Sequence, residues 1–261
     1  MISVRQLTKT LGAQDVLRGV DLEIETGRTC VILGRSGSGK SVLLKHLIGL
    51  FQPTSGEVWV EGEEITKLPE RKLGGIRKKI GMLFQSGALF NSMTVGENVA
   101  LPILESSDVA PHIADLVVKL KLELVGLTGF EHLKPAQISG GMKKRVGMAR
   151  ALALDPDLLF CDEPTSGLDP VMTAVIDTLT LDLTKKMGIT AVVVTHDMTS
   201  AFRIGTQMIF LFEGKIVASG TPDEIKKNPN PVLQQFINGY ADGPIPLKLS
   251  KDDYLKRLMQ A

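Results

Sequence analysis

The chain has little excess charge and few aromatic residues. Its 261 residues carry 30 lysines and arginines against 29 aspartates and glutamates, which gives a formal net charge of +1. That balance argues against a protein that holds nucleic acid mainly through bulk positive charge, because such binding neutralises many phosphates at once. Aromatic residues make up 5% of the chain, which also argues against a platform on which bases stack.

Cysteine and long hydrophobic runs are scarce as well. Cys30 and Cys161 are the two cysteines, too few for a disulfide framework or a cysteine-built zinc site. Both lie in apolar runs, so we expect small buried side chains in a protein of a reducing compartment. The N-terminal residues lack the pattern of a secretory signal, and apolar stretches such as 191–194 and 208–212 fall far short of the roughly 20 residues that cross a bilayer. We expect any work at a membrane to require a partner that spans it.

Short apolar runs separated by turn residues predict a parallel sheet. Runs typical of buried strands occupy residues 29–33, 158–162, 190–194 and 207–212, and further strands are predicted over 15–25, 57–60, 79–84 and 215–218. Helical spacing follows Lys40. Strands that alternate with helices are typical of a doubly wound α/β core.

The pattern becomes helical in the middle of the chain, at about residues 90–155. Helices are predicted over 114–124 and 142–154, with Pro102, Pro111 and Pro135 as breaks. Sheet patterns resume afterwards, so we interpret this segment as an inserted helical subdomain.

The last part of the chain differs again. Gly239, Gly243, Pro244 and Pro246 predict a loop. Four apolar residues then fall on one helical face, namely Tyr254, Leu255, Leu258 and Met259. A tail helix that packs on its own domain and one that docks on a partner chain fit this pattern equally well.

A glycine-rich segment between a predicted strand and a predicted helix has the pattern of a phosphate-binding loop. Its residues are Gly34, Arg35, Ser36, Gly37, Ser38, Gly39, Lys40 and Ser41, which match G-x-x-x-x-G-K-[ST]. The glycines let successive backbone N–H groups face one anion, and the following helix adds its positive end. We expect Lys40 to reach the outer phosphates of a nucleotide and Ser41 to bind Mg²⁺.

An acidic pair follows another predicted strand. Asp162 and Glu163 come directly after an apolar run, and parallel sheets bind ligands at the carboxyl ends of their strands. We expect Asp162 to contact Mg²⁺, directly or through water, and Glu163 to act as the base or to orient water for hydrolysis.

Four further motifs, in a fixed order, narrow the class of nucleotide-binding protein. Gln85 follows the predicted strand 79–84, Ser139-Gly140-Gly141 opens a predicted helix, Asp169 follows the acidic pair, and His196 follows the predicted strand 190–194. No Asn-Lys-x-Asp motif is present, which argues against a GTPase. Over about the first 225 residues the ordered set resembles the nucleotide-binding subunit of ATP-binding-cassette (ABC) transporters.

The resemblance implies a fold and a division of the chain. The fold is α/β, a P-loop (RecA-like) core sheet with an antiparallel β-subdomain and an inserted α-helical subdomain. Residues 1–225 would form the ABC ATPase domain, with the helical subdomain at about 90–155. Residues 226–261 would be a C-terminal tail that contacts other subunits.

The resemblance also implies an ATP- and Mg²⁺-dependent enzyme that works as a head-to-tail homodimer. Ser139, Gly140 and Gly141 of one copy would close over the γ-phosphate held by Lys40 of the other, and Asp169 would bridge the two copies. Gln85 would sense Mg²⁺ and the attacking water, and His196 would contact the γ-phosphate. The remaining histidines, His46, His112 and His132, receive no role.

Two positions depart from the family pattern. An aromatic residue usually lies upstream of the phosphate loop and stacks on adenine, whereas the matching position here is Leu11, with Val16 nearby. Adenine would then be held by apolar contact. The glutamine that usually closes the Ser-Gly-Gly motif is Met142 here, and we expect activity to survive this change.

Three stretches resemble a narrower group, the ATPases of Mla-type and Mce-associated bacterial lipid transporters. They cover residues 84–90, 139–145 and 236–246. The resemblance implies phospholipid transport at the cytoplasmic face of the bacterial inner membrane. The expected partners are an integral-membrane permease, a STAS-domain protein and a periplasmic MCE lipid-binding protein. A related plastid lipid transporter also fits these stretches.

Other functions share part of the pattern. The ATPase of an importer for a small polar nutrient would carry the same catalytic motifs and differ in its partners. A nucleic-acid clamp would typically carry a long coiled-coil insertion or a second cassette, and neither is in this sequence, so we expect no nucleic-acid partner. A scaffold with inactive sites is disfavoured because Lys40, Asp162, Glu163 and His196 are all present.

Overall fold

The computed structural model describes residues 1–106 and 109–245. Its strands are β1 (Ile2–Leu11), β2 (Gln14–Ile24), β3 (Thr29–Leu33), β4 (Ser55–Val60), β5 (Glu63–Glu64), β6 (Ile80–Leu83), β7 (Leu158–Asp162), β8 (Thr190–Thr195), β9 (Gln207–Phe212) and β10 (Lys215–Gly220). Its α-helices are α1 (Lys40–Leu47), α2 (Glu70–Arg77), α3 (Val95–Ser106), α4 (Pro111–Leu124), α5 (Gly140–Ala151), α6 (Pro170–Met187), α7 (Met198–Ile204), α8 (Pro222–Lys227) and α9 (Pro231–Asn238). None of these helices is long and apolar enough to cross a membrane.

The strands form two sheets, as expected for the α/β fold with an antiparallel subdomain. The smaller sheet has the order β2-β1-β4-β5 and is antiparallel. The larger has the order β10-β9-β3-β8-β7-β6, in which β10 alone runs antiparallel to its neighbour. Because β3, β7 and β8 are adjacent and parallel, the residues that follow them gather at one edge of the sheet.

Two apolar layers cover the faces of the larger sheet. Along β3 the side chains alternate between them, with Cys30 and Ile32 on the layer shared with the smaller sheet and α1, and Val31 and Leu33 on the layer shared with α3 to α9. The expected burial of both cysteines is confirmed, and desolvation raises the pKa of the Cys161 thiol to about 12.

Helices α3, α4 and α5 lie between β6 and β7 along the chain and pack on one another. The prediction of a break at Pro102 was wrong, because this proline lies inside α3. A proline inside a helix removes one hydrogen bond, and the burial of Val95, Val99 and Ile103 on the same helix offsets that cost. Pro111 is the first residue of α4, which therefore begins three residues before the predicted start at 114 and ends at 124 as predicted.

Helix α9 of the tail packs on the rest of the chain, because Leu233 is buried in the same apolar layer as α3 to α8 and Phe236 contacts Phe210. The tail also has contacts within itself. The buried side chain of Gln235 in α9 donates from Nε2 to the carbonyl of Tyr240 at 3.2 Å and accepts from the N–H of Ile245 at 2.7 Å. The predicted loop is present through Pro244, after α9 ends at Asn238 and is capped by Gly239, which has a φ of 66°. Pro246 and the predicted apolar face of Tyr254, Leu255, Leu258 and Met259 lie outside the described residues.

Candidate active site

The phosphate loop, residues 34–41, runs from the end of β3 into α1. Its backbone requires glycine at particular points. A Cβ at Gly34 would lie 2.2 Å from the carbonyl oxygen of Leu211, and Gly37 and Gly39 have left-handed φ values of 81° and 102°. The loop therefore curls at the positive end of α1, where backbone N–H groups are available to an anion.

Lys40 is buried at the start of α1 and is held by the loop itself. Its ammonium donates to the carbonyl oxygens of Gly34 at 2.7 Å and Arg35 at 3.0 Å. Burial lowers the pKa of Lys40, and the nearby charges of Glu163 and Asp162 partly oppose that shift. The ammonium thus lies beside the loop, between its carbonyls and the acidic pair.

The hydroxyl of Ser38 is a buried polar group of the phosphate loop. Its Oγ has no hydrogen-bond partner among the described residues. A buried hydroxyl without a partner costs about 1–3 kcal/mol. A phosphate oxygen in the loop would be a suitable partner for it.

Ser41 and Asp162 meet although they are far apart in the sequence. The Ser41 hydroxyl donates to Asp162 Oδ1 at 3.1 Å, because α1 begins beside the end of β7. Burial raises the pKa of Asp162, and the hydrogen bond from Ser41 opposes that effect. A hydroxyl and a carboxylate at this distance are oxygen ligands of the kind that Mg²⁺ prefers.

Glu163 has an uncommon backbone conformation just beyond β7. Its φ is 50°, in the left-handed region, and its N–H donates to the carbonyl of Val194 in β8 at 2.8 Å. The carboxylate lies 2.9 Å from Nδ1 of His196, which follows the same strand β8. The Glu163 side chain is 12% exposed and that of His196 is 63% exposed. The carboxylate is therefore sheltered, while the imidazole faces outward.

A cleft of about 770 Å³, which we call the nucleotide cleft, is lined by four of these residues, Lys40, Ser41, Glu163 and His196. Its walls are Gln14, Val16, Arg35, Ser36, Gly37, Gly39, Lys40, Ser41, Val42, Gln85, Glu163, His196 and Phe236. Most of the predicted site residues thus meet here, including Gln85 from the segment after β6.

Three residues in the wall of the nucleotide cleft were not predicted as site residues, namely Gln14, Val42 and Phe236. Leu11, which was predicted to lie beside adenine, is at the end of β1 and is not among the wall residues. Val16, the other residue predicted to contact adenine, is in the wall. Phe236 packs on Phe210 with ring centroids 5.1 Å apart, a contact that no local sequence pattern shows.

The Ser-Gly-Gly segment, residues 139–141, lies outside the nucleotide cleft of its own chain. Ser139 and Gly140 are exposed, and the Ser139 hydroxyl caps α5 by accepting from the N–H of Met142 at 3.2 Å. Asp169 caps α6 by accepting from the N–H groups of Val171 and Met172. The predicted serine and aspartate therefore occupy two helix N-termini that do not meet the phosphate loop within one chain.

The residues of the cleft suit a nucleoside triphosphate that carries a divalent cation. The phosphate loop, Lys40 and the unpartnered Ser38 hydroxyl offer donors to phosphate. In the described part of the chain no group of three or more His, Cys, Asp or Glu residues could hold a metal ion by itself. A cation held by Ser41 and Asp162 would need further oxygen ligands, which phosphates and water supply.

Comparison with known proteins gives concordant results. The family model for ABC transporters matches residues 17–166. The chain is 38% identical over 260 residues to the "Intermembrane phospholipid transport system ATP-binding protein MlaF" of Haemophilus influenzae, with 100% of this chain and 98% of that protein covered. It is 43% identical over 253 residues to the "Probable ribonucleotide transport ATP-binding protein mkl" of Mycobacterium leprae, with 97% of this chain and 73% of that protein covered.

Solved structures are similar as well. A dimeric ATP-binding cassette, MJ0796, in a post-hydrolysis state with ADP and Pi is 34% identical and has a TM-score of 0.79. The match covers 85% of this chain and 99% of the cassette.

Proposed function

The chain belongs to the ABC transporter family as an ATP-binding subunit and is an ABC-type ATPase, and on this premise we propose that it powers phospholipid transport across a bacterial envelope. The observation that carries the proposal is the similarity to the phospholipid transport ATPase MlaF, which extends over the whole of this chain and nearly the whole of that protein. The phosphate loop, the acidic pair and His196 supply the machinery for ATP hydrolysis.

Each residue of the nucleotide cleft has a task in this proposal. ATP supplies the bond that is cleaved, and Mg²⁺ offsets the charge of its phosphates. Lys40 would exchange its two loop carbonyls for outer phosphate oxygens, and Ser41, Asp162 and Gln85 would hold the cation. Glu163 would accept a proton from water, and His196 would contact the γ-phosphate while donating a hydrogen bond from Nδ1 to the Glu163 carboxylate.

The exposed position of Ser139 and Gly140 supports a site that needs a second copy. Because Ser139 caps a helix N-terminus away from its own cleft, the same helix end is available to a nucleotide held by a partner chain. Two copies arranged head to tail would bind each triphosphate from both sides, and Asp169 would lie at the junction. ATP would then favour the closed dimer, because only in that state do both chains contact the γ-phosphate.

A second cleft lies beside the helical segment and suits a membrane-spanning partner. It has a volume of about 460 Å³ and is mostly apolar, with Phe84, Phe90, Leu101 and Pro102 among its walls. Phe84 and Phe90 are partly exposed, at 39% and 50%. A segment of the permease would dock here, and residues 85–93 would pass on the motion of Gln85 in the nucleotide cleft.

Within this proposal the chain has two parts, several partner proteins and a location at the membrane. Residues 1–225 form the ATPase domain, with the helical subdomain at about 90–155, and residues 226–261 form a tail that contacts other subunits. Besides the permease, a STAS-domain protein and a periplasmic MCE lipid-binding protein complete the complex. The ATPase lies at the cytoplasmic face of the inner membrane.

Purification of the tagged chain from its own membranes tests the proposal. We expect an integral-membrane permease to co-purify, together with phospholipid identified by mass spectrometry. After reconstitution into phospholipid nanodiscs, the complex should hydrolyse ATP, and the same complex with Glu163→Gln is the control. Co-purification with a nucleic-acid enzyme and no membrane protein would contradict the proposal.

The alternative is the ATPase of an importer for a small polar nutrient. The similarity to mkl, whose name includes ribonucleotide transport, favours this candidate. Adding phospholipid or ribonucleotides to the reconstituted complex separates the two, because the transported compound should stimulate ATP hydrolysis. Stimulation by ribonucleotides but not by phospholipid would overturn the lipid proposal and leave the ATPase intact.

A further inference from the structure

A buried lysine on α5 contacts the backbone of Glu163. Lys144 is 5% exposed, and its ammonium donates to the carbonyl oxygen of Glu163 at 3.1 Å. The contact joins α5, which begins at the Ser139 cap, to the residue that follows β7. None of the motifs discussed above assigns a task to Lys144.

Burial of this ammonium has a cost that an apolar residue would avoid. Desolvation lowers the pKa of Lys144, and the nearby negative charge of Glu163 opposes the shift. A buried lysine needs hydrogen-bond acceptors for its charged form. The carbonyl of Glu163 is one such acceptor, so the position of the ammonium and the conformation of Glu163 depend on each other.

Glu163 needs support because its backbone is left-handed. Residues with a side chain rarely adopt a φ of 50°. Its N–H donates to the carbonyl of Val194, and its own carbonyl accepts from Lys144 at 3.1 Å and from the N–H of Ser166 at 3.2 Å. The carboxylate lies 2.9 Å from Nδ1 of His196. Loss of Lys144 would leave the carbonyl to the Ser166 N–H of its own turn and remove the contact that ties Glu163 to α5.

We propose that Lys144 is a positioning residue that sets Glu163 for hydrolysis and links it to the Ser139 end of α5. The inference rests on the proposed roles of Glu163 and Ser139. Ser139 and Lys144 are about 7 Å apart along one rigid helix, at about 1.5 Å per residue. When Ser139 meets the nucleotide of the partner chain, any shift of α5 reaches Glu163 in the chain's own site. Lys144 thereby couples the two nucleotide sites of the dimer.

Three variants of the full-length chain test this role. Lys144→Met nearly keeps the length of the side chain and removes its charge and its hydrogen-bond donors. Lys144→Arg keeps the charge and the donors. Lys143→Met, on the neighbouring half-buried position of α5, controls for the loss of one lysine from this helix. Initial rates of ATP hydrolysis over a range of ATP concentrations give kcat, KM and the Hill coefficient.

We expect Lys144→Met to lower kcat by about tenfold or more with KM changed less than about threefold, because the loss falls on the reacting state rather than on nucleotide binding. Its Hill coefficient should fall towards 1. Lys144→Arg should recover most of kcat, and Lys143→Met should match the wild type. A purely structural role would lower the melting temperature but would not reduce kcat and cooperativity well below that temperature.

Unchanged kcat and Hill coefficient in a folded Lys144→Met protein would overturn the inference. If that variant does not fold, Lys144→Gln replaces it, since its amide is one atom shorter and does not reproduce the 3.1 Å contact; the same outcomes decide. Glu163→Gln is measured in parallel. Wild-type hydrolysis by Glu163→Gln would refute the proposed role of the glutamate itself, whereas an inactive Glu163→Gln beside a fully active Lys144→Met would refute only the role of Lys144.

Discussion

At the scale of single residues, the surroundings of Lys40 support its proposed role in binding phosphate. Its ammonium is buried and bound to two loop carbonyls, at 2.7 Å and 3.0 Å. Burial of a cation is unfavourable unless it is paired. A phosphate offers a stronger, charged partner in the same place.

Replacement of this lysine should weaken nucleotide binding. We expect Lys40→Ala to raise the Kd for ATP by at least about tenfold, because a charge-assisted hydrogen bond contributes roughly 1.5–3 kcal/mol. Isothermal titration calorimetry measures the change. Lys45→Ala, at an exposed lysine of the same helix, is the matched control and should bind ATP like the wild type. Equal affinity of both variants would argue against the role of Lys40.

The two cysteines give a second prediction at this scale. Burial raises the pKa of the Cys30 thiol, and that of Cys161 to about 12. Because thiolate is the reactive form, a raised pKa leaves almost none of it at pH 8. We expect no rapid modification by a thiol-specific reagent in the folded chain and two modified cysteines after unfolding in guanidinium. Rapid labelling of folded protein would contradict the described packing.

At the scale of elements, the start of α6 separates two roles of Asp169. The side chain caps the helix through the N–H groups of Val171 and Met172, and it is also proposed to lie at the dimer junction. Asparagine caps helices as well as aspartate does, whereas alanine does not.

We therefore expect Asp169→Ala to lower the free energy of unfolding by about 1 kcal/mol and Asp169→Asn to change it by a few tenths. Urea unfolding followed by circular dichroism measures both. If the junction needs the charge, the two variants should lose ATPase activity alike despite their different stabilities. Full activity of Asp169→Asn would show that the cap alone accounts for this residue.

The strands of the core were more predictable than its helices. Short apolar runs in the sequence predict β3, β7 and β9, and the predicted bounds of all three strands are confirmed. Helix α6 was not predicted, since its buried face contains Thr173, Asp177 and Thr180, and this polarity obscures the helical period. Some of the buried polar side chains of α6 find hydrogen-bond partners far away in the sequence. Arg203 of α7, for example, donates to Asp177 at 2.6 Å.

Local motifs predicted the phosphate loop and the acidic pair, but they did not predict every residue in the wall of the nucleotide cleft. The phosphate loop and the acidic pair carry their chemistry in neighbouring residues, so a sequence pattern is sufficient. Gln14 and Phe236 meet in one cleft only because the chain folds back over more than 200 residues. The support that Glu163 receives from Lys144 was invisible for the same reason.

At the scale of the whole molecule, each chain has one nucleotide cleft, but the exposed Ser139 end of α5 lies outside the cleft of its own chain. A site built from both chains therefore requires a dimer that forms with ATP and separates after hydrolysis. Glu163→Gln should bind ATP, hydrolyse it poorly and stay closed, because the amide cannot accept a proton from water.

Light scattering during gel filtration checks this expectation. In Mg²⁺ and ATP, Glu163→Gln should elute with twice the 28.2 kDa mass of one chain, and in ADP it should elute with the mass of one chain. The double variant Lys40→Ala/Glu163→Gln controls for association that does not depend on ATP. A dimer of equal amount with ADP and ATP would argue that the γ-phosphate does not close the interface.

The most direct test of the shared site is complementation between two inactive variants. Lys40→Ala damages the phosphate loop, and Ser139→Glu places a negative charge at the helix end proposed to meet phosphate. In a mixed dimer, one site carries both defects and the other is intact, whereas each homodimer has a defect in both sites. If each site is built from two chains, mixing the two inactive proteins should restore ATP hydrolysis. Mixtures that stay as inactive as either variant alone, although mixed dimers form, would show that each site is built within a single chain.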